Sequence, residues 1–151
     1  MTGGTVTRGL DSEGGGVRVL TWNLWGRNGD WPRRLDAIAA TMAEAAPDVC
    51  GLQEVWDAPD GNLAAELARR LGVEWHWARA HPPRNGDGVS IGNAVLSRWP
   101  ITGVEEVPLP TEGLREGRVA LGARIEAPGG LLPFVTTHLT YRLGGSAVRL
   151  Q

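Results

Sequence analysis

Three polar residues occupy positions in the sequence where their side chains could take part in catalysis. Asn23, Glu54 and His138 each come at the end of a mostly apolar, β-rich run. If the three runs are neighbouring strands, these side chains converge on one rim of a sheet. Layered folds usually build their sites at strand ends and in the loops that follow them. The sequence therefore predicts a candidate site made from these three residues.

This set of side chains suits phosphate chemistry with a divalent cation. A lone carboxylate such as Glu54 is a natural anchor for Mg²⁺, which keeps several waters and takes one or two protein carboxylates together with substrate phosphate. The Asn23 amide could orient that carboxylate or a water. His138 could donate to a phosphate oxygen or transfer a proton. A metal and a donor around the phosphate would stabilise the charge that develops as a P–O bond breaks.

Each of the three residues also has a purely structural interpretation. Asn23 is a common turn residue after a strand. Glu54 could be a solvated strand end, and His138 could be a structural histidine with satisfied hydrogen bonds. None of the spacings is a metal motif by itself, so periodicity and composition leave the function open.

Composition narrows the class of protein. The chain has 151 residues, 42% of them hydrophobic, and a formal net charge of −2, which favours one globular domain without a broad basic surface for nucleic acid. No run approaches the roughly 18 apolar residues of a membrane span. The first residues lack the apolar core of a signal peptide, so we expect a cytoplasmic protein. The single cysteine, Cys50, lies in an apolar run and is expected to be a buried small hydrophobe.

Periodicity predicts an α/β fold with two helices and about seven strands. The first helix is expected to begin at residues 30–32 and to end before Pro47, with an apolar stripe of Leu35, Ile38, Ala39 and Met42. The second carries Leu63, Leu67 and Leu71 and ends at Gly72. The predicted strands cover residues 17–24, 48–53, 73–79, 92–97, 104–109, 118–126 and 132–139, with a hairpin turn at 128–130. Residues 1–16 are expected to be a flexible leader and residues 17–151 the domain.

Tryptophan is unusually common, with seven residues against one Phe and one Tyr. Two explanations stay open for six of them. Some could line the rim of the site and stack on a base or touch lipid, or they could pack in the core and between layers. The six are Trp22, Trp25, Trp31, Trp56, Trp75 and Trp77.

Several motifs occur along the chain in one order. They are TWNLWG at residues 21–26, PDVCGLQE at 47–54, GNAVLSRWPI at 92–101, RVAL at 118–121 followed by TTHL at 136–139, and RLQ at 149–151. Together they resemble the first strand, the PD-hydrophobic-x-x-LQE strand, the GNA-hydrophobic-LSR-x-P-I segment, the R-x-A-L and THL pair and a following helix start of the endonuclease/exonuclease/phosphatase superfamily. The chain is therefore similar to this superfamily from about Val17 onward.

The resemblance implies an activity and a role for each site residue. It implies a phosphoesterase that uses Mg²⁺ or Mn²⁺ and hydrolyses a phosphodiester or a phosphomonoester. Glu54 would bind the metal, Asn23 would position the metal, its water or the phosphate, and His138 would face the phosphate. Arg118 would be a supporting donor, whereas Asn93 would hold its strand. The substrate would be a nucleic acid, a phospholipid headgroup or a small nucleotide.

The resemblance also implies a four-layer α/β/β/α sandwich, of which this chain is similar to the N-terminal half. The G-D-x-N and S-D-H segments of the second half do not occur in this sequence. We therefore expect at most one sheet with its two helices, a bare apolar face, and a chain that by itself is poorly soluble and inactive. The alternative to an enzyme is a catalytically inactive truncated fragment or remnant.

Overall fold

The computed structural model describes residues 5–8, 16–82, 88–111 and 117–139. This part of the chain contains two helices and nine strands, and the strands form a six-stranded and a three-stranded sheet. In chain order the elements are β1 (Thr5–Arg8), β2 (Arg18–Asn23), α1 (Trp31–Ala45), β3 (Val49–Ala58), β4 (Gly61–Asn62), α2 (Leu63–Leu71), β5 (Glu74–His81), β6 (Ser90–Ser97), β7 (Ile101–Leu109), β8 (Arg118–Ala127) and β9 (Gly130–Thr137).

Both helices begin and end where their residue types indicate. Asp30 caps α1 by accepting the backbone N–H of Arg33, and Pro32 lies in the first turn, where its missing N–H leaves no hydrogen bond unmade. The predicted stripe of Leu35, Ile38, Ala39 and Met42 is buried. Asn62 caps α2, and Gly72 ends it in the left-handed conformation at φ 67°. In the described part of the chain, neither helix is long and apolar enough to cross a membrane.

The two sheets are mixed and antiparallel respectively. The larger sheet has the strand order β1-β2-β3-β6-β5, with β4 paired to β3, and the smaller has the order β7-β8-β9. Strands β2 and β3 are parallel, whereas every other pair is antiparallel. The predicted hairpin is confirmed by the pairing of Ala127 with Gly130.

Two apolar clusters separate three layers. One lies between the helices and the larger sheet and includes Met42, Leu67 and Leu52. The other lies between the two sheets and includes Val95 and Leu121. The order of layers is therefore helices, larger sheet, smaller sheet.

The expectation of at most one sheet is wrong, because β7, β8 and β9 form a second sheet that covers the inner face of the first. The apolar face in contact with solvent belongs instead to the outer side of the smaller sheet. Val107, Leu131 and Val135 are 45%, 62% and 65% exposed there. Strand periodicity shows that a strand has a buried face, but it does not show which sheet the strand joins.

Two segments differ from their predicted structure. Residues 5–8, within the expected leader, form a strand antiparallel to β2, with Thr5 opposite Thr21. Gly61 and Asn62, which lie in none of the predicted strands, form β4. The domain boundary at residue 17 stays a prediction, and the helix start at residues 149–151 that the resemblance implies lies outside the described residues.

Candidate active site

Glu54 is placed by an irregularity in β3 rather than by the end of a strand. The pairing of β3 with β6 shifts register between Leu52 and Val55, and Glu54 has a positive φ of 52°. A β-bulge of this kind redirects a side chain and is common beside active sites. The predicted position at a strand end is therefore wrong, because β3 continues to Ala58. The backbone N–H of Gly26 holds the bulge by donating to the Glu54 carbonyl at 3.0 Å.

Asn23 ends β2, as predicted, and its side chain contacts Glu54. Its Nδ2 donates to Glu54 Oε1 at 2.9 Å, while its Oδ1 accepts the backbone N–H of Trp25 at 2.9 Å. The backbone N–H of Leu24 also donates to the Gln53 carbonyl at 2.8 Å. Both ends of the amide are thus engaged, which fixes the orientation of the Glu54 carboxylate.

His138 reaches the same carboxylate from the other sheet. It follows β9, and its Nδ1 lies 3.9 Å from Glu54 Oε1. The side chains of His138 and Glu54 are 27% and 30% exposed, so both remain accessible to solvent and to a ligand. The prediction that the three residues meet on one rim of a single sheet is wrong in this respect. They meet where the two sheets face each other.

Gln53, Thr136 and Gly51 join the two sheets beside the site, and the sequence motifs alone assigned them no role. Gln53 Nε2 donates to Thr136 Oγ1 at 3.0 Å across the interface. A Cβ on Gly51 would lie 2.8 Å from that hydroxyl oxygen, so a side chain there would require Thr136 or the strands to move. In the sequence, the Gln53–Thr136 contact is indicated only by the presence of these two polar residues in otherwise apolar strands.

Arg118 and Asn93 are more deeply buried than Glu54 and His138. Arg118 begins β8, is 8% exposed and donates to the Gly117 carbonyl at 3.3 Å. Because Ala120 pairs with Thr137, the register puts Arg118 at the same end of the smaller sheet as His138. Asn93 is 1% exposed and donates to the Val119 carbonyl at 2.8 Å. This contact is structural, which agrees with the role that the motif resemblance implied for Asn93.

The donor set of the site fits Mg²⁺ or Mn²⁺ bound through one carboxylate. In the part of the chain that the structure describes, no three or more His, Cys, Asp and Glu side chains form a metal cluster. Mg²⁺ needs only one or two protein carboxylates, because waters and substrate phosphate complete its coordination. The partly exposed Glu54 meets that requirement, with Asn23 orienting it.

Cys50, the single cysteine of the sequence, is buried and has no role in the candidate site. Burial, and to a smaller extent the charge of Asp48, raises the pKa of Cys50 to about 12. The thiol is therefore neutral at ordinary pH, and only a thiolate is a good nucleophile. Cys50 acts as a core residue, as its sequence context predicts.

A model of the endonuclease/exonuclease/phosphatase family matches residues 20–151, a range that includes all four predicted site residues. The chain belongs to this family. The fold agrees with family structures. An endonuclease/exonuclease/phosphatase from Beutenbergia cavernae is 32% identical, with a TM-score of 0.66 over 87% of this chain and 40% of that one. The human Nocturnin catalytic domain with bound sulfate anion is 23% identical, with a TM-score of 0.68 over 88% of this chain and 53% of that one.

A sequence relative in Drosophila melanogaster bears the name "Putative neutral sphingomyelinase". It is 33% identical over 90 residues, which cover 58% of this chain and 19% of that protein. The present chain thus spans between 19% and 53% of the three proteins compared. It corresponds to part of a family domain, in agreement with the predicted partial sandwich.

Proposed function

We propose that this protein hydrolyses a phosphodiester or a phosphomonoester with the help of Mg²⁺ or Mn²⁺. The observation that carries the proposal is the arrangement around one carboxylate oxygen, Glu54 Oε1. It accepts from Asn23 Nδ2 at 2.9 Å and lies 3.9 Å from His138 Nδ1. Membership of the family supports phosphate-ester hydrolysis as the class of reaction.

In this proposal Glu54 is the metal ligand and Asn23 keeps its carboxylate directed toward the ion. Asn23 was also a predicted metal contact. Because its Oδ1 already accepts the Trp25 N–H, we assign it the positioning of Glu54 or of a metal-bound water. When bound, the divalent ion supplies positive charge next to the phosphate and lowers the pKa of a bound water.

His138 and Arg118 act on the phosphate itself. His138, at the solvent-accessible mouth between the sheets, donates a hydrogen bond to a phosphate oxygen. Arg118, a buried guanidinium at the start of β8, adds a supporting positive charge near the scissile group. Fixed donors of this kind stabilise the negative charge that grows on the phosphoryl oxygens during bond cleavage.

The decisive experiment replaces Glu54 with Gln, which keeps the shape and removes the charge. Hydrolysis of bis-p-nitrophenyl phosphate and p-nitrophenyl phosphate is measured with Mg²⁺, with Mn²⁺ and with EDTA. We expect EDTA to abolish turnover and added metal to restore it. Glu54→Gln should reduce turnover about 100-fold or more, since even groups that only support a metal ligand change activity 10- to 100-fold. The matched control is Glu126→Gln, an exposed carboxylate on β8, which should behave like the unmodified protein.

The assay is applied to the 151-residue chain and to any longer form of the protein. Turnover in a longer form with none in the chain would support the alternative that the chain is an inactive fragment. Metal-independent turnover, or full turnover in Glu54→Gln, would refute the proposed function. The predicted substrates, namely nucleic acid, a phospholipid headgroup or a small nucleotide, and the cytoplasmic location stay predictions.

A further inference from the structure

Trp25 has a half-exposed aromatic side chain, and its backbone is hydrogen-bonded to Asn23 of the candidate active site. It is 48% exposed, although most of the other tryptophans are at least partly buried in the core clusters. Its backbone N–H donates to Asn23 Oδ1 at 2.9 Å, and the next residue, Gly26, donates to the Glu54 carbonyl. The backbone that carries the indole is therefore tied to the Asn23–Glu54 pair.

The backbone of Trp25 has a conformation that is unfavourable for its side chain. Its φ is 57°, a left-handed conformation that is unfavourable for a bulky residue and that glycine adopts freely. Strained residues of this kind concentrate at functional sites, and Glu54 shares the feature at φ 52°. A half-exposed tryptophan that neither fills the core nor suits its backbone indicates a role for the ring itself.

The surroundings of the ring indicate what it can bind. The guanidinium of Arg34 lies over the ring, 5.1 Å from its centroid, and is held in place because Arg34 donates to the carbonyls of Leu24 and Asn28. A ring that already faces one cation is a poor partner for a second, which disfavours a quaternary ammonium group such as choline. A neutral aromatic ligand meets no such repulsion and gains from stacking.

The loop around Trp25 is also unsuited to insertion in a lipid surface. Its other residues, 26–30, are Gly, Arg, Asn, Gly and Asp. Membrane-binding segments combine several apolar side chains. The exposed aliphatic residues Val107, Leu131 and Val135 lie instead on the smaller sheet.

We propose that Trp25 is a stacking platform for the base of a nucleotide substrate, with the phosphate directed to Glu54 and His138. This proposal rests on the proposed function and narrows its substrate class. It makes Trp25 a specificity-determining residue that contacts the part of the substrate away from the scissile bond.

The test compares the binding of AMP with that of ribose 5-phosphate, which lacks the base, by calorimetry in the presence of Mg²⁺. We expect the 151-residue chain to bind AMP about tenfold more tightly, the size of one base–aromatic stack. Trp25→Gly should remove the preference and leave ribose 5-phosphate binding unchanged, and it should fold because glycine suits the backbone at φ 57°. Trp25→Phe should restore part of the preference. The matched control, Trp75→Ala, alters a similarly exposed tryptophan (42%) on β5 and should keep all of it.

The outcomes separate this inference from the proposed function. Equal binding of both phosphates by the unmodified chain, or an unchanged preference in Trp25→Gly, would overturn the stacking role alone. If neither phosphate binds in the presence of Mg²⁺ although the same form of the protein hydrolyses the p-nitrophenyl esters, the stacking role alone fails. If that form neither binds the phosphates nor hydrolyses the esters, the proposed function and this inference both fail for it. Phosphocholine or sphingomyelin vesicles could instead bind more tightly than AMP and lose this affinity in Trp25→Gly. That result would overturn the proposal that Trp25 stacks on a base and would indicate a lipid substrate.

Discussion

Gly51 lies on β3 where that strand meets β9 of the other sheet, and replacing it with Ala tests whether the close approach of the sheets stabilises the fold. A Cβ at this position would lie 2.8 Å from Thr136 Oγ1 and 2.9 Å from Thr136 Cβ. Carbon atoms in good contact are about 3.5–4.0 Å apart, so the added methyl group overlaps its neighbour by more than half an ångström. The sheets must separate, or Thr136 must move.

The expected loss of stability follows from this overlap. Overpacking a well-packed interior raises the free energy of the folded state by about 1–3 kcal/mol. Against this, Gly→Ala stabilises by about 0.4–1 kcal/mol when the backbone suits Ala, because the unfolded chain becomes less flexible. We therefore expect Gly51→Ala to lower the free energy of unfolding by about 1–2 kcal/mol, or the melting temperature by about 2–8 °C.

Urea unfolding followed by tryptophan fluorescence measures this change. The matched control is Gly129→Ala in the β8–β9 turn, where an added Cβ meets nothing within 4 Å, so its stability should stay equal or rise slightly. Because β9 leads into His138, separating the sheets should also reduce phosphoesterase turnover in any active form. Equal stability of the two variants would refute the conclusion that β3 and β9 are packed too closely for a side chain at residue 51.

Two further predictions concern buried polar groups. Asn93→Ala should lower the free energy of unfolding by about 2–3 kcal/mol in urea titrations, because it removes the 2.8 Å hydrogen bond to Val119 and leaves a cavity. Asn93→Ala should leave the metal dependence of any activity unchanged. A loss of stability smaller than the loss caused by replacing an exposed Asn with Ala would contradict the structural role of Asn93. For Cys50, burial raises the folded-state pKa from 9.0 to about 12, so on raising the pH the unfolded state loses its proton first. Stability should therefore fall above pH 9, by up to about 1.4 kcal/mol per pH unit, and this component should be missing in Cys50→Ala when both are unfolded by urea at pH 8, 9 and 10.

Local patterns predicted most of the individual elements because the relevant physics acts within a few residues. The stripe of α1, its start at Asp30 and Pro32, and the end of α2 at Gly72 follow from helix periodicity and capping, and the structure confirms them. The family was also predicted correctly, since its motifs occur in order along the chain. The errors lie elsewhere. They concern features that depend on partners distant in sequence, namely the strand formed by residues 5–8, the length of β3 and the existence of a second sheet.

The candidate site also combines features that the sequence determines with features that depend on tertiary structure. The sequence alone determined which chemical groups are available, because Asn23, Glu54 and His138 are recognised by residue type and by motif. Only the tertiary structure decided how they meet. A bulge in β3 turns Glu54 toward Asn23, and the packing of two sheets at Gly51 brings His138 to the same oxygen. Bulges and sheet contacts arise from pairing and packing over long sequence separations, and a local pattern does not encode them.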